Sequence, residues 1–133
     1  MALRDQPYFP LYVQDFMTNV KLNECSAEST GVYIRLMCVM HKSKEYGAIL
    51  LKQKDKQNDN QIKNFACKLA KQMPFPLEVI ERSLEELILE EVIILDGDTL
   101  FQRRMVKDNN TSLVRSEAGK RGGKMTQRKR YFD

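Results

Sequence analysis

The sequence predicts an α+β domain, mainly helical, and three observations support it. Apolar residues recur at helical spacing in three separate stretches. A β-branched apolar run, Val92-Ile93-Ile94-Leu95, is closed by Asp96-Gly97 and followed by a second short run. A link with two prolines, Pro74 and Pro76, joins the second and third helical stretches.

The first helix is expected from about residue 26 to 43. Tyr33, Leu36, Met37 and Met40 form its stripe, widened by Val32 and Val39, with Ser26 as N-cap and Glu28 in the first turn. Gly47 breaks it, and Ala48-Ile49-Leu50-Leu51 reads as a short buried strand. Residues 52–60 are a polar loop. Ile62, Phe65, Ala66, Leu69 and Met73 make the second amphipathic helix, which Pro74 stops. Pro76 suits a first helical turn, and Leu77, Ile80, Leu84, Leu87 and Ile88 carry the third helix to about Glu91. The hairpin then runs from Val92 through Asp96-Gly97 to Thr99-Leu100-Phe101-Gln102-Arg103. Upstream, Asp15-Phe16-Met17 starts a short extra helix after Pro7 and Pro10. Beyond Arg104 the pattern tolerates helix as far as Gly119, then turns glycine-containing and basic.

Helix, strand, helix, helix, strand, turn, strand is the order of a winged helix-turn-helix. A generic α+β domain shares the string, but the short two-proline link favours the helix-turn-helix reading. The expected organisation is a winged-helix domain over residues 1–110 and a basic, glycine-containing tail or linker over 111–133.

The chain has 133 residues, 42% hydrophobic and 30% charged, a composition that excludes a wholly disordered chain and suits one domain with a tail. The longest apolar run, 87–95, is interrupted by Glu90 and Glu91 and falls short of the roughly 18 residues of a membrane span. Residues 1–10 lack the apolar core of a secretion signal, so a cytoplasmic protein is expected. Cys25, Cys38 and Cys67 are odd in number and widely spaced; buried free thiols are expected rather than disulfides. Cys38 and His41 could share a helix face with Cys25 and Cys67 nearby, but no Cys-x-x-Cys pair supports zinc, and no metal or cofactor is expected.

Charge is divided along the chain. Residues 113–133 carry seven cations against Glu117 and Asp133, and residues 52–72 carry six lysines against Asp55 and Asp59. Residues 73–98 hold Arg82 alone against eight carboxylates. Such segregation speaks about partners rather than fold.

No catalytic constellation emerges, and an enzyme is not expected. Glu81 with Glu85 and Glu86 with Glu90 look like a solvated helix face, with nothing to shift a pKa. Residues 119–124, GKRGGK, fail as a phosphate loop: one residue too few precedes the Gly-Lys pair, and Met125 stands where Ser or Thr would hold magnesium. Many winged helices lay the third helix in the major groove. Here residues 77–91 carry six glutamates and one arginine, which phosphates would repel. Glu78, Glu81, Arg82, Glu85 and Glu86 are therefore candidates for a partner interface, facing a basic surface such as the 52–72 stretch of a second copy; a solvated face without a partner is the alternative. Candidate DNA contacts lie elsewhere: Lys52, Lys54 and Lys56 in the loop, Lys63, Lys68 and Lys71 on the second helix, and Arg103, Arg104 and Lys107 after the hairpin. Arg115, Lys120, Arg121, Lys124, Arg128, Lys129 and Arg130 complete the set in the tail. Contacts of this kind supply affinity more than sequence choice, and a tail that merely aids solubility is the competing reading.

The segments PYFPLYVQDFMTN (7–19), SAESTGVYIRLMCVMHKSKEYGAILLKQ (26–53), MPFPLEVIERSLEEL (73–87) and RSEAGKRGGK (115–124) resemble the N-terminal domain of phage replisome organiser proteins. These are replication-initiation proteins of phages and prophages of low-GC Gram-positive bacteria, related to DnaD-like primosome components. The resemblance implies a winged-helix domain that binds origin or single-stranded DNA or self-associates in the bacterial host cytoplasm. It implies a route by which the replicative helicase or its loader reaches the phage origin. Pro76 departs from the polar cap usual there. Relatives continue past the glycine-rich segment into a further domain, so helicase loading is not expected of these residues alone. Two other functions remain open: a winged-helix transcriptional regulator, which needs a base-reading third helix, and a protein-interaction adaptor that never touches nucleic acid.

Overall fold

Ser26 starts the principal helix as its residue type dictates: its hydroxyl oxygen accepts the Ser29 N–H at 3.1 Å, satisfying one of the orphan amides of the first turn. The computed structural model describes residues 3–129. Within them the order is α1 (Val13–Thr18), α2 (Val20–Asn23), α3 (Ala27–Lys42), β1 (Ala48–Leu50), α4 (Gln61–Ala70), α5 (Leu77–Leu89), β2 (Ile94–Asp96), β3 (Thr99–Phe101) and α6 (Arg103–Lys129). The architecture is α+β and mainly helical, with one three-stranded antiparallel sheet in the order β1-β3-β2.

The three expected stripes meet in one core. Leu36 and Met40 of α3, Phe65 and Leu69 of α4, and Ile80, Leu84 and Leu87 of α5 are fully buried together with Ile93 and Leu100. Each such apolar side chain contributes about 1.5–3 kcal/mol by leaving water. The sheet closes one side: Ile49, Leu100 and Leu95 are cross-strand neighbours on a single face, whereas Ala48, Phe101 and Ile94 lie in the adjacent register row on the other.

Several boundaries differ from the sequence reading, each for a local reason. The extra N-terminal helix is two short helices, because Asn19 leaves the helical region and caps α2 by accepting the Leu22 N–H at 3.1 Å. Helix α4 ends at Ala70, ahead of Pro74, yet Met73 stays buried just beyond it. Pro76 is the N-cap of α5 rather than its first residue, with an extended ψ of 149°. Helix α5 stops at Leu89 in a Schellman closure: Val92 N–H donates to the Leu87 carbonyl at 2.9 Å and Glu91 N–H to Ile88 at 3.0 Å. Glu91 consequently sits at φ 60°, a position that glycine fills more cheaply. That closure takes Val92 and Ile93 out of the strand. Asp96 pairs with Thr99, so the tight turn is Gly97-Asp98 instead of Asp96-Gly97, with Gly97 at φ 60°.

The end of the chain also departs from expectation. Helix α6 spans 27 residues, crosses position 111 without a break and includes Gly119, Gly122 and Gly123, each about 1 kcal/mol less favourable than alanine in a helix interior. Its start is set by Gln102, whose side-chain oxygen accepts the Met105 N–H at 2.7 Å while its amide nitrogen donates to Tyr33 Oη at 3.0 Å. Gly47, at φ 81°, passes so close beneath that a Cβ there would lie 2.9 Å from Met105 Cβ and from the Val106 nitrogen. The N-terminal segment is tied to the same helix through Leu3 N–H to Ser112 Oγ and Tyr12 Oη–H to Asp108, and to α3 through His41.

The cysteines are free but not buried: Cys38 and Cys67 are exposed and Cys25 is half-buried. Cys38 falls on the outward side of α3 although its neighbours Met37 and Met40 face inward.

Candidate nucleic-acid interface

Helix α5 is the third of the three stripe helices, and its charged residues divide into two groups. Arg82 and Glu86 turn back onto α3. The Arg82 guanidinium grips Glu28 through Nε at 3.0 Å and Nη2 at 2.7 Å, and Glu86 accepts the Ser26 N–H at 2.7 Å. The Glu28 carboxyl is held below its ordinary pKa by the Arg82 hydrogen bond, and that of Glu86 by the Ser29 side chain and then the Ser26 amide. Of the five residues expected to form a partner interface, Arg82 and Glu86 therefore serve the chain's own packing. Glu78 and Glu85 remain exposed, Glu81 is half-buried, and none of the three has an ion-pair partner among the described residues. Turning Arg82 and Glu86 inward removes one charge of each sign, so the net charge of the outward face is unchanged, and its remaining charged residues of the five, Glu78, Glu81 and Glu85, are all acidic.

The hairpin tip is acidic too, and it is fastened down. Asp98 accepts hydrogen bonds from Gln61 Nε2 at 2.7 Å and pairs with Lys56, while its carbonyl accepts the Leu51 N–H at 2.8 Å. Gln61 also donates to the Gly97 carbonyl at 3.0 Å. The Lys56 ammonium and then Gln61 hold the Asp98 carboxyl below its usual range. A tip bound on three sides to the preceding loop and α4 does not reach outward.

The expected DNA-contacting cations separate in the same way. Lys56 is bound to Asp98, Arg104 pairs with Asp15 and stacks over the Tyr12 ring at 4.1 Å, and Lys68 is a half-buried latch. Its ammonium donates to the Leu50 carbonyl at 2.8 Å and to Asp55 at 2.9 Å. Asp55 is held below its ordinary pKa, first by the Lys52 amide and then by Lys68. These three cations hold the fold. Lys52, Lys54, Lys63, Lys71, Arg103, Lys107 and Arg115 are exposed and have no ion pair among the described residues. The last three lie along α6, where Lys120, Arg121, Lys124, Arg128 and Lys129 follow on the same helix; Arg130 lies outside the described residues.

Comparison of the chain with protein-family models, with curated proteins and with solved structures gave no match.

Other features bear on what the surface can do. Among the described residues no three His, Cys, Asp or Glu side chains gather as a metal site, and no helix is long and apolar enough to cross a membrane. His41 is buried between Tyr46 Oη and the Gln6 carbonyl, each at 2.7 Å. A carbonyl only accepts, so Nε2–H donates to Gln6, and in the neutral ring Nδ1 accepts from the tyrosine. Burial and then Asp108 push the Tyr46 hydroxyl up to about 12.

Sequence reasoning missed a groove of about 550 Å³ beside α6. Its floor is Phe101, Val106 and Val114 and its rim is Arg103, Lys107 and Arg115. It also missed the outward leucine of α5, Leu89, which is 79% exposed. Leu89 lies outside the stripe that α5 buries, and that was the available signal. The groove had none, because β3 and α6 meet only in three dimensions.

Proposed function

We propose that the chain is a non-enzymatic, DNA-associated replication-initiation protein of the phage replisome organiser type, acting in the host cytoplasm. Its fold is read as a winged helix-turn-helix that binds DNA and self-associates. The fold reading is supported by the sequence of elements α3-β1-α4-α5-β2-β3, by the sheet order β1-β3-β2, and by the short link 71–76 between α4 and α5. The replication reading rests on the resemblance of residues 7–19, 26–53, 73–87 and 115–124.

One observation carries the mode of DNA binding. Both elements with which a winged helix ordinarily reads a groove, α5 and the hairpin tip, are acidic, and the tip is fastened to its own domain. Of the candidate DNA-contacting cations, the exposed ones without an ion pair among the described residues lie on the loop before α4, at α4 and its C-cap, and on α6. DNA is thus held through phosphates, with little dependence on base sequence. This counts against a transcriptional regulator, whose task needs the base-reading helix that the glutamates spoil.

Fluorescence anisotropy with duplex and single-stranded oligonucleotides at several salt concentrations tests the proposal. With about six phosphates engaged on duplex, log affinity falls against log salt with a slope of about −5. Deleting residues 113–133 weakens binding by about tenfold or more while the unfolding midpoint of the remaining domain holds. Unchanged affinity removes the part of α6 beyond Ser112 from the interface, and a chain with no salt-sensitive binding to either DNA is the adaptor instead.

A further inference from the structure

We infer that the groove beside α6 seats the outer face of α5 from a second copy of this chain. The inference rests on the self-association reading above and gives it a surface. Phe101, Val106 and Val114 form an apolar floor, with Val114 68% exposed, and Arg103, Lys107 and Arg115 stand around it. A surface of this kind calls for a helix with an apolar anchor and carboxylates beside it.

The chain carries such a helix itself. The outward face of α5 offers Leu89, 79% exposed, and Glu78, Glu81 and Glu85. Arg82, the one cation of that helix, is held by Glu28 and so does not oppose an incoming basic rim. The lengths agree as well. Glu78 to Leu89 spans about 17 Å of helix and Arg103 to Arg115 about 18 Å.

The two faces belong to different parts of the domain, and no α5 residue lines the groove. One copy therefore cannot fill its own groove with its own α5, because α5 is fixed between α3 and α4 by Ile80, Leu84 and Leu87. The contact is heterologous: each copy offers one groove and one ridge, so association continues copy to copy unless it closes into a ring.

Sedimentation velocity on the full chain, alone and in mixtures, tests this. Leu89→Asp spoils the ridge and Val114→Asp spoils the groove; both residues are exposed, so circular dichroism should match the parent. The parent is expected to grow in mass with concentration, less so at high salt, and each variant alone to weaken association by about tenfold or more through loss of a central anchor. Mixing the two variants in equal amounts restores a single intact contact, giving a species of twice the monomer mass and nothing larger. Glu85→Lys and Lys107→Glu each weaken association, and the two substitutions carried in the same chain recover it.

A parent that is monomeric at every concentration overturns the proposal, as does association that survives Leu89→Asp and Val114→Asp. A mixture that forms no dimer overturns it too. A monomeric parent that captures a different acidic helix assigns the groove to another partner and likewise overturns it. DNA anisotropy on the same samples keeps the readings apart: DNA binding by a chain that ignores Leu89→Asp fails the interface alone, and intact association without DNA binding fails the DNA reading alone.

Discussion

Helices α5 and α6 carry opposite charge and are held in opposite ways. Helix α5 buries Ile80, Ser83, Leu84 and Leu87 and fixes its carboxylate and guanidinium groups against α3. Helix α6 buries Met105 and Asn109 near its start, and Leu113 and Val114 are already exposed about one turn further on. Among the α6 residues after Asn109 whose burial is described, none is buried. The difference shows that charge on a helix is not one quantity. Part of the acidity of α5 is used as internal anchoring and part faces out, whereas the exposed cations of α6 contribute nothing to the core and are available to phosphates or to a neighbour.

The largest expected effect sets the two helices side by side. Leu84→Ala empties a fully buried site in α5 and should cost about 2–5 kcal/mol in urea unfolding, whereas Leu113→Ala in α6 should stay within about 0.5 kcal/mol. Equal effects would show that α6 belongs to the core. Next comes the junction that aims α6. Gly47→Ala combines a left-handed backbone with a Cβ against Met105, so a loss of about 1–3 kcal/mol is expected from thermal unfolding.

Acid should separate the helices by pH. The carboxyls of Glu28, Glu86, Asp55 and Asp98 have folded pKa values below their ordinary ones. Near pH 4 the unfolded chain therefore binds more protons than the folded one, and the stability these groups add is complete above that range and lost as pH falls through their folded values. The urea midpoint should be level from neutrality to about pH 5 and fall below it. The combined Glu28→Gln, Glu86→Gln variant, which loosens α5 from α3, should show a shallower fall. The smallest effect is a gain: Glu91→Gly relieves the φ of 60° that ends α5 and should raise stability by about 0.5–1 kcal/mol. A loss would mean that the exposed Lys21–Glu91 pair outweighs the backbone strain.

Much of the fold is legible in the residues. The stripes Leu36-Met40, Phe65-Leu69 and Ile80-Leu84-Leu87 were readable because burial of a helix face imposes a period, and Ser26 was readable as a cap because its hydroxyl acts within its own turn. The hairpin was readable to within two residues. The Schellman closure at Glu91 withdraws Val92 and Ile93 from the strand, and the pairing of Asp96 with Thr99 puts the turn at Gly97-Asp98. The candidate site was legible as a list of charges but not as a surface. Lys56 and Lys68 look like Lys54 and Lys63 in the sequence, yet Asp98 and Asp55 reach them from elsewhere in the chain.

The amino-acid sequence by itself determined the order and type of the elements, the residues of the core and the separation of acidic from basic stretches, because periodicity, capping and composition act over one or two helical turns. Tertiary structure alone decided which charges are free, that the hairpin tip is fastened, that α6 is aimed by Gly47 and Gln102, and that Phe101 and Val114 share a groove. Those outcomes depend on distances between residues far apart in the chain, and such distances exist only once the core has closed.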